Sequence, residues 1–161
     1  MPEVSVRGNK ISSSIASKHV KVRKPNKPQC VPEYKDGQYY GGYWVGDVCF
    51  GIEIPPSSPY DELDIDATVE GTIDDGAPTV FVNGKEVAFS GAKTQEQDSY
   101  TVPSGWSYVS GGHSSANGSV SSGSSKVLVS GKQLARKGDS VRTHASSSAS
   151  IQEGSNNVFA N

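Results

Sequence analysis

Short apolar runs alternate with polar residues in the second half of the chain, and this pattern recurs. Val80-Phe81-Val82 is followed by Asn83-Gly84, and Val127-Leu128-Val129 is followed by Ser130-Gly131. Apolar steps of this length that end at Asn-Gly or Ser-Gly are typical of β-hairpins, whose two-residue turns need positive φ. A third run, Val158-Phe159-Ala160, stands next to the last residue. The pattern predicts three β-hairpin repeats, the third of them cut off.

A common register links the three copies upstream of the hairpins. Each copy contains a glycine before its apolar run: Gly76, Gly123 and Gly154. Ten residues before these glycines stand Asp66, His113 and His144. Three residues before them stand Ile73, Val120 and Ile151. Self-similarity at fixed spacing indicates a repeat architecture, so we expect three repeats with pseudo-threefold symmetry.

The rest of the chain is less regular. Residues 1–10 are expected to form a short opening strand and residues 11–17 a polar connection. We interpret residues 11–65 as a long loop insertion in the first repeat and residues 93–111 as a shorter loop insertion in the second. The basic stretch of the first insertion, residues 18–27, is expected to be a solvated loop. Its aromatic stretch, residues 34–44, is expected to pack locally. Gly and Pro placement argues against long helices, so the chain is predicted to be a single all-β domain over residues 1–161.

Composition and charge narrow the function. Among 161 residues, 15 Lys and Arg oppose 17 Asp and Glu for a net charge of -2, which argues against nucleic acid as a partner. No run approaches the roughly 18 apolar residues of a membrane span, and the start lacks the basic and apolar regions of a signal peptide. No Gly-x-Ser-x-Gly elbow with a following Asp and His suggests catalysis, and the acidic residues lack calcium-loop spacing. The expectation is a non-enzymatic protein.

The repeats resemble those of the PAAR-repeat family, which caps the spikes of contractile phage tails and type VI secretion systems. The likeness lies in the hairpins at 76–85, 123–132 and 154–161, in the Ala-Arg-Lys-Gly-Asp-Ser-Val segment that leads to His144, and in the opening residues 2–9. The chain departs from the family at Asn9, where Asp is common, and in the name-giving tetrapeptide, which survives only as 86–89 and 133–136. Gly46-Asp47-Val48-Cys49-Phe50 has Asp where many phage members have His.

The resemblance implies a small cone whose base docks on a trimeric β-helical spike, with one tip per trimer and a metal near the apex. Such a tip would sharpen the spike for piercing the bacterial outer membrane, which it would contact transiently. We expect a phage tail baseplate in the virion, with synthesis in the host cytoplasm, and keep a type VI secretion tip as an alternative. A surface glycan-binding or cell-wall-acting module is the alternative from a different class.

A metal would hold together converging strands that have too little interior for a core. Imidazole and thiolate suit zinc, with iron as another transition metal to consider. His113, His144 and Cys49 come from three different repeats and are the predicted ligands. The fourth ligand is open among four residues, with His19 ranked first: His19, Asp66, Cys30 and Asp47. Two cysteines are too few for a disulfide framework, so they are expected to be ligands or free thiols.

Overall fold

The computed structural model describes residues 1–161 and contains strands but no helix. The strands are β1 (Ser14–Pro25), β2 (Gln29–Val31), β3 (Glu33–Lys35), β4 (Gln38–Tyr40), β5 (Tyr43–Val45), β6 (Val48–Phe50), β7 (Ile52–Ile54), β8 (Tyr60–Ile73), β9 (Phe81–Val82), β10 (Lys85–Glu86), β11 (Thr94–Ser99), β12 (Ser107–Ser110), β13 (Ser119–Val120), β14 (Leu128–Val129), β15 (Lys132–Gln133), β16 (Ser140–Arg142) and β17 (Ser148–Ser150). The all-β prediction is confirmed, and no helix is present that could cross a membrane.

These strands form small sheets. The largest has the order β11-β8-β1-β12, and a three-stranded sheet has the order β13-β16-β17. Five two-stranded ladders complete the set: β9 with β10, β14 with β15, β2 with β7, β3 with β4, and β5 with β6. All of the strand pairs within the ladders are antiparallel.

Two of the predicted hairpins form at the predicted turns. Asn83 and Gly84 have φ of 51° and 78°, and Ser130 and Gly131 have φ of 51° and 79°. Two consecutive positive φ angles give the tight turn whose twist matches that of the flanking strands. The near-identical angles show that the two copies share one backbone conformation.

The opening segment completes the third hairpin. Phe159 forms an antiparallel bridge with Glu3, and the amide of Ala160 donates to the carbonyl of Pro2. In the other two copies the corresponding bridges are Phe81 with Glu86 and Leu128 with Gln133, inside one continuous hairpin. The third repeat is therefore assembled from the two ends of the chain, a pairing that the hairpin pattern of the sequence does not predict.

A closed ring of backbone hydrogen bonds joins the three repeats. The amide of Ser5 donates to the carbonyl of Ala135, the amide of Ala135 donates to the carbonyl of Ala88, and the amide of Ala88 donates to the carbonyl of Ser5. Each of these bonds is 3.0 Å long. All three residues are fully buried. Their equivalent bonding establishes the pseudo-threefold relation, and only small side chains occupy its centre.

The hydrophobic core consists of two clusters, and each cluster contains residues from all three repeats. One contains Ile73, Val120 and Ile151, the residues predicted to share a position, and each is 1% exposed. Ile73 pairs with Thr94, Val120 with Val141, and Ile151 with Ile11. Each of the three residues therefore pairs with a residue of the next repeat, and the third pairs back to the first. The other cluster lies under the hairpins: Val4, Ala77, Val87, Val129, Leu134 and Ala160. The repeat register thus predicts the centre of the core.

The chain divides into two compact units. Unit 1 comprises residues 1–21, 64–101 and 110–161, and unit 2 comprises residues 22–63 and 102–109. Unit 2 therefore contains most of the first predicted insertion and less than half of the second. Apart from Val22, none of its residues is buried, so it is built from strand ladders with no core of its own. A compact unit is not the same as an independent domain, and the single-domain interpretation stays a prediction.

The insertions are strands rather than the long loops that we predicted. In β1 the buried Val20 and Val22 alternate with Lys21 and Arg23, and in β8 the buried Ala67 and Val69 alternate with polar neighbours. A half-buried strand needs apolar residues only at every second position. The interpretation as loops was wrong because the charged residues of these segments occupy the positions between the buried apolar residues of a strand.

Candidate metal centre

Four side chains of unit 1 converge on one point. His19 lies on β1, Asp98 on β11, His113 in the connection before β13, and His144 in the turn between β16 and β17. Each residue offers one potential ligand atom, and these four atoms all lie within 4.8 Å of one another. This spacing fits a single metal ion, since ligand atoms at about 2.0–2.2 Å from a tetrahedral ion lie between 3 and 4 Å apart.

Asp98 lies at the centre of the group, and its side chain is fully buried. Oδ2 lies 3.1 Å from His19 Nε2 and 3.2 Å from His113 Nδ1, and it also accepts the His113 amide at 2.9 Å. Burial by itself would raise the pKa of Asp98, but the hydrogen bonds from His113 and the attraction of His144 bring this pKa below its ordinary value. The carboxylate is therefore ionised at neutral pH and able to act as an anionic ligand.

Two atoms in this group are buried without a hydrogen-bond partner. They are Oδ1 of Asp98 and Nε2 of His144, which lie 3.1 Å apart without satisfying hydrogen-bond geometry. Buried polar atoms are almost always paired, so each unpaired one needs an explanation. A bound cation would accept a lone pair from both. Three imidazoles and one carboxylate are donors that zinc and divalent iron accept, so the residues fit a transition metal.

The loop that carries His113 needs two consecutive glycines. Gly111 has φ of 97°, and a Cβ there would overlap the carbonyl oxygen of His19. At Gly112 a Cβ would lie 2.6 Å from the ring of Tyr100. The backbone can therefore approach β1 and the ring of Tyr100 closely only without side chains. The sequence Gly-Gly-His is thus a local requirement for bringing His113 to the centre.

The structure brings together three of the predicted ligands, His19, His113 and His144. It does not bring Cys49, which forms a disulfide with Cys30 in unit 2. A disulfide sulfur has no thiolate to offer a metal, so the prediction of Cys49 as a ligand, and of Cys30 as an alternative, is corrected. The expectation of free thiols is wrong for the same reason. Metal binding by the three histidines stays a prediction.

The remaining alternatives lie elsewhere. Asp66 accepts a hydrogen bond from the amide of Lys18 at 2.8 Å, and Asp47 is exposed in the turn between β5 and β6. Asp98 was missed because its strand reads Thr-Gln-Glu-Gln-Asp-Ser, with no hydropathic alternation. Burial nonetheless alternates along this strand, since Thr94 and Glu96 are buried and Gln95 and Gln97 are exposed.

The comparisons with known proteins give one family. A family model described as the PAAR motif matches residues 110–161, a range that includes His113, His144 and the second hairpin. No curated protein matches the chain.

Proposed function

The chain belongs to the PAAR-repeat family, whose motif is known from spike tips of contractile injection systems, and on this premise we propose that it caps a trimeric β-helical spike. One copy sits on each spike trimer. The tip sharpens the spike for piercing the outer membrane of a bacterium. We place it at the baseplate of a phage tail in the virion, with the type VI secretion spike as the alternative setting.

The observation that carries this proposal is a set of three exposed apolar side chains on the hairpins. Phe81, Leu128 and Phe159 are 56%, 63% and 45% exposed and occupy equivalent positions in the three repeats. Exposed apolar residues that recur by symmetry are typical of an interaction surface rather than of scattered surface residues. A single chain that presents three similar surfaces matches the threefold end of a trimer, which supports a ratio of one tip to three spike chains.

The proposed metal has a structural role. His19, Asp98, His113 and His144 lie on β1, on β11, in the connection before β13 and in the turn between β16 and β17, and coordination would tie these four elements together. Zinc is the metal we propose, with iron as the alternative. Coordination energy at such a site adds to folding energy, because the unfolded chain holds no preformed site. This role requires no catalysis, in keeping with a mechanical tip.

A second candidate function belongs to unit 2. Tyr34 and Tyr39 form a ring pair with centroids 5.0 Å apart, Tyr43 stacks on Phe50, and these three tyrosines are more than half exposed. Flat exposed aromatic rings favour stacking on a surface glycan. Calorimetric titration with polysaccharide from candidate host cells tests this, and Tyr34→Ala should weaken the binding if it occurs.

Co-purification with a candidate trimeric β-helical spike, followed by native mass spectrometry, tests the proposed capping. We expect one tip per three spike chains. Phe81→Asp and Leu128→Asp should each weaken the complex, since a charge on an apolar contact is costly to desolvate. Ile15→Asp is the matched control, because Ile15 is 67% exposed but lies outside the hairpins. A complex with three tips per trimer, or equal binding by all of these variants, would refute the one-on-three arrangement.

A further inference from the structure

A fifth side chain, Glu96, lies behind the metal-binding group and is not one of the four candidate ligands. Its side chain is fully buried. Oε2 accepts the amide of His144 at 2.8 Å and lies 2.6 Å from His144 Nδ1, while Oε1 accepts the hydroxyl of Thr94 at 2.6 Å. Both oxygens are therefore used, and one of them contacts both the backbone and the ring of His144.

These contacts determine where the proton of His144 resides. Both carboxylate oxygens of Glu96 already accept hydrogen bonds, from the His144 amide and from the Thr94 hydroxyl, so at the 2.6 Å contact Glu96 is the acceptor and Nδ1 carries the proton. In the neutral ring Nε2 then holds a lone pair, and Nε2 is the buried atom that lacks a partner. It faces Oδ1 of Asp98 at 3.1 Å, so in this neutral form of the ring two lone pairs oppose each other, whereas a protonated ring would attract the Asp98 carboxylate. A cation between them would remove this repulsion.

The surroundings of Glu96 accommodate it at some cost. A Cβ at Gly118 would overlap Glu96 Oε1, and a Cβ at Gly71 would lie 2.9 Å from Glu96 Cγ. A buried carboxylate is unfavourable unless it is well paired, and an apolar residue would fill such a site more stably. The one ion pair of Glu96 is with His144. The buried charge of Glu96 therefore serves His144 rather than the core.

We propose that Glu96 is a positioning residue that fixes the tautomer and the ring orientation of His144, so that Nε2 is presented to the metal. The inference rests on the metal centre of the proposed function. Carboxylates that hold the second nitrogen of a ligating histidine also make the ring more basic and raise metal affinity by about 10- to 100-fold. Glu96 would act in this way without contacting the ion.

The test separates the tautomer from metal binding. In metal-free protein at about pH 8, where free imidazole is neutral, ¹⁵N NMR should show Nδ1 of His144 protonated. In Glu96→Leu, which removes the acceptor, the ring should shift toward Nε2 protonation, and zinc affinity measured against a competing chelator should fall at least tenfold. Glu96→Gln can still accept through its amide oxygen, so it should keep the tautomer and lose less affinity.

Glu70→Gln is the control, since it removes the same charge from an exposed position on the neighbouring strand β8. Nε2 protonation in the metal-free wild type, or wild-type zinc affinity in both Glu96 variants, would overturn the proposal. If Glu96→Leu does not fold, the wild-type spectrum and Glu96→Gln still decide it. If the wild type binds no metal but shows Nδ1 protonation, the metal centre fails while the orienting role of Glu96 stands.

Discussion

Reduction of the Cys30–Cys49 disulfide should unfold unit 2 and leave unit 1 intact. The two cysteines are 19 residues apart in sequence, so the bond closes a loop of about 20 residues. For a loop of that length the chain-entropy relation gives a stabilisation of about 3 kcal/mol. The three ladders that it ties together have strands of only three residues, and two-stranded hairpins of this kind are marginal on their own. Since residues 23–63 contribute no buried side chain, nothing of comparable size replaces the bond.

Hydrogen exchange measured by mass spectrometry, with and without reductant, is the assay. Amides of residues 29–54 should lose their protection on reduction, while those of Ser5, Ala88 and Ala135 in the backbone ring should keep theirs as an internal standard. The double variant Cys30→Ser, Cys49→Ser should reproduce the reduced state without reductant. Unchanged protection of residues 29–54 after complete reduction would refute the reasoning, because it would mean that contacts other than the disulfide hold the ladders together.

Three further predictions concern the metal centre. His113→Ala and His144→Ala should each lose zinc and lower the melting temperature, and full zinc occupancy with unchanged melting would exclude that histidine as a ligand. Asp98→Asn should keep the fold, because Asn also accepts the His113 amide, but should lower zinc affinity at least tenfold in a chelator competition; undiminished affinity would exclude the carboxylate. Gly111→Ala should lower the melting temperature more than Gly91→Ala does. Both glycines have a similar positive φ, which costs about 1–3 kcal/mol for alanine, but only at Gly111 would the added Cβ also overlap neighbouring backbone. Equal effects would contradict the close approach.

The repeats could be predicted because the features that define them are local. A hairpin is encoded by a few alternating residues and a turn that needs positive φ, so Asn83-Gly84 and Ser130-Gly131 identify two of them directly. The third could not be completed in this way. Its second arm is at the opposite end of the chain, and the pairing of Glu3 with Phe159 leaves no local signature.

The candidate site was predictable in its histidines but not in its carboxylates or its cysteines. The shared register singled out His113 and His144, whereas Cys49 was inferred from a family resemblance that the neighbouring Asp47 already weakened. Asp98 and Glu96 lie on a strand whose buried face is polar throughout, so hydropathy carries no sign of which face points inward. Their burial follows from the tertiary contacts of the histidines, which a sequence pattern does not contain.

The three hairpins, which would contact the proposed spike, are related by pseudo-threefold symmetry, whereas the four residues of the candidate metal centre are not. A single chain with three repeats permits both arrangements. A tetrahedral ion needs four ligands, while exact threefold symmetry supplies equivalent groups in threes. Here the ring of backbone bonds obeys the symmetry. Beyond it the three copies diverge, so that His113 and His144 share a register position while Asp98 and His19 come from strands without counterparts in the group. Divergent repeats in a single chain thus allow a threefold surface at the hairpins and a four-ligand centre within the same unit.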